Sequence, residues 1–333
     1  MARMSDDSRW MGAALALGER GRGRTAPNPN VGCVIVADGA VVGRGWTQPG
    51  GRPHAEAMAL AQAGEKARGA TVYVTLEPCA HISTRGPACS DLLELAGVAR
   101  VVIALGDPDL RTNGAGVARL RAAGIEVELG TGADAARSAM AGFLLRQRRG
   151  RPAVTLKLAM SLDGATALGS GASQWITGPA ARAHAHLERS RHEAILVGRA
   201  TIDCDDPTLD VRLPGLGQRS PRRVILSRTP DFVHPAGAAA GDWENIASPE
   251  DIAGLEAVNH LLVEGGPTTA AAFLATDLVD RLLLYRAPIL VGDGRTLPDI
   301  GLADLTDAHG RWAMTDARTL GSDRLEVYER VRE

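Results

Sequence analysis

The sequence predicts an α/β protein of two domains, and three observations predict it. The chain is too long for one ordinary core, helical and strand patterns alternate along both halves, and a basic stretch bearing glycine and proline interrupts the alternation once. At 333 residues the length suits two domains. Forty-five per cent hydrophobic residues make the composition globular rather than disordered. No apolar run approaches the roughly 18 residues that a membrane span needs. The N-terminal MARMSDDSRW lacks the apolar core of a signal peptide, so a cytoplasmic location is expected.

In the first half, DDSRWMGAALALGERG is a helix that Asp6 or Asp7 can cap, with Trp10, Ala14 and Leu17 at helical spacing. VGCVIVADGAVVGRGW gives two strands around the hairpin turn Asp38-Gly39. PHAEAMALAQAGEKARG is a helix closed by glycine, and ATVYVTLEP is a buried strand. CSDLLELAGV (helix), ARVVIALGDP (strand), GVARLRAAGI (helix) and EVELG (strand) follow. This succession predicts a mainly parallel sheet with helices on both faces. A helical stretch from Ala133 to Gln147 then enters RQRRGRP, where arginines, Gly150 and Pro152 mark the boundary between domains 1–147 and 148–333. We read this basic run as a solvated helix end and linker rather than an RNA contact.

The second half restarts with the strand PAVTLKLAMSLDG. The helix GPAARAHAHLERSRH, the strands EAILVG, RRVILS and HLLVEGG, the helix TTAAAFLAT and the strand DRLLLYRAPILVG follow. Internal repeats and low-complexity tracts are absent.

A net charge of −2 gives no global attraction to nucleic acid or anionic membranes, and 3% aromatic residues are too few for a base-stacking platform. Neither partner is expected. Of the 37 basic residues only Lys66 and Lys157 are lysines, so a lysine that survives this bias draws attention as an amine. Four cysteines in so long a chain are no disulfide framework; metal or catalytic roles suit a reducing compartment.

Three of the strongest metal ligands fall close together. His54, in HAEAMAL, precedes Cys79 and Cys89, in TLEPCAHISTRGPAC. Zinc takes imidazole and thiolate in tetrahedral array, and a catalytic site keeps its fourth place open. Cys89 begins a predicted helix, where the dipole favours thiolate. Glu56 stands two residues after His54, placed to move protons to and from a metal-activated water. A histidine–acid pair followed by Pro-Cys and a second cysteine is the arrangement of zinc deaminases. His81 is the alternative: as a fourth ligand it would make the site structural. Cys33, among Val and Ile, reads as core. His184 and His186 lie two apart on a helix and point to different sides, so they make no second metal site. Cys204 beside Asp205 has no evident partner.

PNPNVGCVIV, HAEAMAL, TLEPCAH, GPAC and AGIEV resemble the deaminase half of the bifunctional riboflavin-biosynthesis enzymes, and KLAMSLDGATA, SQWITGP, DDPTLDVR and VEGGPT resemble their reductase half. The resemblance runs through nearly the whole chain in one order, although nine residues separate the cysteines where the familiar form has eight. It implies a cytidine-deaminase-like three-layer domain followed by a dihydrofolate-reductase-like domain. It also implies one zinc ion per chain, NADPH, and a phosphorylated pyrimidine, 2,5-diamino-6-(5-phosphoribosylamino)pyrimidin-4-one, as the first substrate. Metal-activated water would attack C2 with Glu56 as proton carrier, and Asn28 is similar to a residue that contacts the base. Similar enzymes assemble as dimers or tetramers.

In the second half no Gly-x-Gly-x-x-Gly turn follows the first strand, which disfavours an ordinary Rossmann domain. VEGGPTTAAAFL runs from a strand through Gly-Gly into a helix start, which is either a phosphate cradle or a tight structural turn. The resemblance implies the cradle, with Gly266, Pro267, Thr268, Thr269, Ala270, Ala271 and Ala272 at the nucleotide. It adds Met160, Trp175, Thr201, Asp205 and Ser227 to the NADPH set. Ser173, Arg189, Leu209, Arg212 and Glu264 are implied at the substrate, the arginines suiting its phosphate. The ribosyl chain would be reduced to ribityl, with Lys157 or Asp205 supplying the proton. Two other functions compete: a zinc deaminase of tRNA or nucleosides with an appended reductase-like module, and a non-catalytic binding protein with a structural zinc.

Overall fold

Helix α1 (Asp6–Gly18) opens the N-terminal unit, buried through Met11 and Ala14. Asp7 does not act as a simple cap. Its carboxylate accepts the Tyr73 hydroxyl at 2.7 Å and pairs with Arg100 at 2.9 Å, tying the helix to the sheet. The computed structural model describes residues 6–81, 83–173, 175–229 and 243–332, and the chain divides into the units Met1–Gly150 and Arg151–Glu333.

Strands β1 (Gly32–Ala37) and β2 (Ala40–Trp46) flank a turn in which Asp38 and Gly39 both have positive φ, 50° and 72°. The hairpin is therefore of the tight twisted kind that Asp-Gly favours. Then come α2 (Ala55–Ala63), β3 (Thr71–Val74), α3 (Cys89–Ala96), β4 (Arg100–Ile103), α4 (Ala115–Ala122), β5 (Glu126–Leu129), α5 (Ala133–Ala139) and α6 (Ala141–Arg149). The sheet order is β2-β1-β3-β4-β5. The expected mainly parallel sheet is corrected here: β1 pairs antiparallel with both β2 and β3, and only β3-β4 and β4-β5 are parallel. The cause is the hairpin, which inserts β1 beside β3 in reverse.

Gly32 pairs with Trp46 and Cys33 with Gly45, so Gly32 and Gly45 face opposite sides of the sheet. A Cβ on Gly32 would lie 1.8 Å from the Ala14 carbonyl of α1, and one on Gly45 2.0 Å from the Ala55 carbonyl of α2. The two helices therefore cover opposite faces, giving three layers. Gly32→Ala should destabilise this unit by roughly 3 kcal/mol or more, because the clash is with backbone. The denaturant midpoint reads the effect, and an unchanged midpoint would contradict this packing.

The second unit contains β6 (Ala153–Met160), β7 (Ala167–Leu168), α7 (Pro179–Arg189), β8 (Ala194–Gly198), α8 (Arg199–Asp205), β9 (Arg222–Leu226) and β10 (Trp243–Ile246). It continues with β11 (His260–Val263), α9 (Pro267–Ala275), β12 (Val279–Arg286), β13 (Gly294–Arg295), β14 (Trp312–Leu320) and β15 (Asp323–Arg330). Eight strands run in the order β10-β9-β8-β11-β6-β12-β15-β14, parallel up to β12 and antiparallel thereafter. The small pair β7-β13 stands apart from that sheet. Strand β12 ends at Arg286, short of the expected APILVG extension. Six elements lack a counterpart among the sequence expectations: α8, β10, the small pair β7 and β13, and the C-terminal hairpin β14–β15. The core is aliphatic, with Leu156, Leu196 and Val263 fully buried on neighbouring strands. The carboxyl ends of β6, β8, β9 and β11 carry Met160, the start of α8, Ser227 and Glu264, so most of the residues expected at the second site gather at one edge of the sheet.

Candidate active sites

The chain places His54, Cys79 and Cys89 by local chemistry. His54 is the N-cap of α2, Cys79 follows Pro78 beyond β3, and Cys89 is the first residue of α3. Their ligating atoms all lie within 4.8 Å of one another, the one such His/Cys/carboxylate cluster among the described residues. His54 Nδ1 is 3.3 Å from Cys89 Sγ and 3.6 Å from Cys79 Sγ, while the Asn28 amide lies 3.3 Å from Nε2 on the other side of the ring. The longer loop between the cysteines closes on itself: the Cys89 N–H donates to Cys79 Sγ at 3.3 Å, and the Ser90 hydroxyl to the Cys79 carbonyl at 3.1 Å. His81 stands outside the cluster with its Nδ1 3.4 Å from the Thr112 hydroxyl. It does not close the shell.

Hydrogen bonding from Cys89 is the main influence that holds the Cys79 thiol down to about 4, against the opposing effect of burial. Cys89, its partner in that bond, is driven upward, chiefly by the same contact. The contact between the two sulfurs thus favours the thiolate form at Cys79. Glu56 is only 3% exposed. Burial pushes its carboxyl up to about 7, with His54 pulling the other way. These groups open onto a cleft of about 170 Å³ whose walls include Asn28, His54, Glu56, Cys79, His81 and Asp107. Cys33 is fully buried in the core and lies outside the cluster.

In the second unit the arginine fork of Arg189 grips Glu264 through Nε at 2.8 Å and Nη2 at 2.9 Å, and its Nη1 donates to the Asp210 carbonyl at 3.0 Å. Lys157 Nζ lies 3.9 Å from the same carboxylate and 5.9 Å from the centre of the Tyr285 ring. Burial raises the Glu264 carboxyl, but the charges of Arg189 and Lys157 outweigh it and bring it down to about 2. Arg212 is more exposed, at 59%, with Asp210 3.5 Å away. Trp175 is exposed beneath the Arg182 guanidinium, Ser173 is half-buried, and Thr201 and Asp205 sit on the short helix α8. His184 and His186 turn to separate partners, the Tyr285 hydroxyl at 2.7 Å and the Asp210 carbonyl at 3.1 Å.

Residues 4–105 match the cytidine and deoxycytidylate deaminase zinc-binding region, and residues 152–243 and 251–324 match the RibD C-terminal domain. The riboflavin biosynthesis protein RibD of Escherichia coli K12 is 43% identical over 363 residues, covering 95% of this chain and 97% of its own. The chain belongs to the RibD family. The Acinetobacter baumannii RibD structure (form 1) matches with a TM-score of 0.87 at 37% identity, covering 98% of this chain and 99% of that one. A Thermotoga maritima structure described as a diaminohydroxyphosphoribosylaminopyrimidine deaminase/5-amino-6-(5-phosphoribosylamino)uracil reductase gives 0.87 at 31% identity with the same coverage.

A RibD chain is a bifunctional deaminase and reductase of riboflavin biosynthesis, with a zinc-binding deaminase domain and an NADPH-dependent reductase domain acting on a small pyrimidine. The residues present fit both cofactors. One imidazole and two sulfurs form a donor set that would hold zinc, and Glu56 lines the same cleft as His54 and Cys79. At the start of α9, Cβ atoms on Gly198 and Gly265 would strike Thr269, at 2.2 Å and 2.4 Å. Those glycines let Thr269 seat the helix start against the ends of β8 and β11. A Cβ on Gly266 would meet nothing, so there is open space at this helix start, and the free N–H groups of a helix start suit a phosphate. No helix among the described residues is long and apolar enough to cross a membrane.

Three of the residues expected at the second site are engaged within the chain itself. Ala270 has no accessible surface and its N–H is bonded to the Gly266 carbonyl. The Leu209 side chain packs in a core cluster with Ile195 and Ile202, leaving only its backbone for a substrate. The Arg189 fork is filled by Glu264 rather than open to a phosphate. Two residues of the cleft wall, Glu77 and Asp107, stand in the sequence as plain strand ends. Their signal was acidity: LEPC and GDPD put carboxylates directly after buried strands.

Proposed function

We propose that the N-terminal unit deaminates 2,5-diamino-6-(5-phosphoribosylamino)pyrimidin-4-one and that the C-terminal unit reduces the ribosyl chain of the product to ribityl. The observation that carries it is a buried carboxylate, Glu56, beside a three-ligand cluster in a cleft, on a chain 31% identical to the Thermotoga deaminase/reductase. Bound zinc supplies the Lewis acidity that makes water nucleophilic near neutral pH. Glu56 accepts the first proton of that water and gives it to the ring nitrogen, then carries the proton of the new hydroxyl to the amino group, which leaves as ammonia. Asn28, against the His54 ring, orients the base edge. His54, Cys79 and Cys89 hold the metal.

In the second unit NADPH supplies hydride to C1 of the opened ribosylamino group. The amides around Gly266, Thr268 and Thr269 and the edge residues Met160, Trp175, Thr201 and Ser227 hold the dinucleotide. Lys157, kept in place by Glu264, delivers the proton; Asp205 is the alternative donor. Arg212, the more exposed of the two candidate arginines, is left to meet the 5-phosphate, with Ser173 beside the sugar. Thiol ligands outside any disulfide suit a reducing compartment, the cytoplasm.

The test follows ammonia release and NADPH oxidation by zinc-replete protein given this pyrimidine. Chelation of the metal should abolish ammonia release and leave reduction of supplied deaminated substrate intact. Zinc-replete protein that releases no ammonia would refute the assignment.

A further inference from the structure

Glu77 stands two residues before the zinc ligand Cys79 and has no part in the chemistry above, yet it is only 3% exposed. Its carboxylate accepts three backbone N–H groups: Oε1 from Val117 at 3.1 Å, Oε2 from Gly114 at 3.0 Å and from Asp107 at 3.2 Å. Its own N–H donates to the Leu105 carbonyl at 2.8 Å. Gly114 and Val117 bracket the first turn of α4, where the dipole favours an anion. A Cβ on Gly116 would lie 2.1 Å from the Pro78 carbonyl, so the helix start rests directly on the Glu77-Pro78 backbone.

A helix cap alone would need only the bonds to Gly114 and Val117. The third bond reaches the segment between β4 and α4, which carries Asp107, Asp109 and Arg111 into the cleft wall. There the Asp109 N–H donates to Asp107 Oδ1 at 2.9 Å, and Arg111 Nε holds Asp109 at 3.0 Å. Among the described residues no hydrogen bond reaches Asp107 Oδ2, and Asp107 lines the cleft that holds Glu56 and Asn28. A wall rich in acceptors complements a ring that carries two amino groups.

We infer that Glu77 is a positioning residue of the deaminase, clamping the β4–α4 segment onto the strand end that bears Cys79 and so setting how Asp107 meets the amino-bearing edge of the pyrimidine. The inference rests on the proposed deaminase function. Glutamine at 77 keeps the size but turns an NH2 toward backbone donors, which removes at least one of the three bonds and repels its donor.

The experiment uses full-length, zinc-replete Glu77→Gln, Asp107→Asn and the double variant. It measures ammonia release against substrate concentration, zinc content, and reduction of supplied deaminated substrate. Glu77→Gln should raise KM for deamination roughly 10- to 100-fold, the scale of a misplaced binding group, with kcat within about threefold, zinc retained and reduction unchanged. Asp107→Asn should raise KM similarly, and the double variant should lose no more than the worse single one, because both act through one contact. A wild-type KM, a fall confined to kcat, loss of zinc, or additive losses in the double variant would each overturn the inference. If Glu77→Gln does not fold, Asp107→Asn decides alone, and a wild-type KM there overturns it. Wild-type protein that releases no ammonia would instead refute the deaminase assignment.

Discussion

Glu56→Gln is expected to lose ammonia release by roughly 10²- to 10⁴-fold, the usual contribution of a positioned proton carrier. It should still oxidise NADPH at the wild-type rate when deaminated substrate is supplied. The substitution is isosteric and leaves His54, Cys79 and Cys89 untouched, so zinc content should stay the same. Loss of chemistry therefore cannot be traced to loss of metal. Glu56 is held in the first turn of α2 on the cleft wall, and burial raises its carboxyl to about 7, which suits a group that must both take and give a proton. Retention of more than about a tenth of the deaminase rate would remove Glu56 from the role.

Glu264→Gln should cost the second unit roughly 3–5 kcal/mol, because it leaves the Arg189 guanidinium and the Lys157 ammonium facing a neutral amide in a buried place. Reduction should be lost, while ammonia release persists in chains whose first unit stays folded. The pH dependence carries its own sign. The folded carboxyl titrates near 2, below its ordinary 4.5. The contribution of the pair is therefore complete above 4.5 and declines as pH falls from 4.5 toward 2, amounting to about 3 kcal/mol. Denaturant midpoints measured from pH 7 down to pH 3 should fall more steeply for wild type than for Glu264→Gln. Parallel curves would mean that the Arg189–Glu264 contact does not stabilise the fold.

Much of the first site was legible because each of its residues is tied to a local feature. His54 stands at the N-cap position of a helix, Cys89 begins one, and Cys79 follows a Pro at a strand end. The Asp38-Gly39 turn was equally legible, since both residues must accept positive φ. The C-terminal hairpin was not. Strand β14 alternates little, is largely exposed on both faces, and so lacks the period-two apolar signal of a strand. Helix α8 spans only Arg199–Asp205 and was hidden for a related reason, being too short to show a helical period.

The sequence by itself determined the zinc donor set, the carboxylate beside it, the alternating α/β order and the strand-to-helix turn at Gly265-Gly266, since each depends on neighbours a few residues away. Only the tertiary structure decided that β1 runs against β3, that Arg189 spends its fork on Glu264 75 residues further on, and that Glu77 joins Asp107 and Val117 to the zinc strand. The physical reason is common to all three. Backbone N–H groups and buried charges must find partners, and which partner comes within reach is set by strand register and helix packing, which local spacing does not encode.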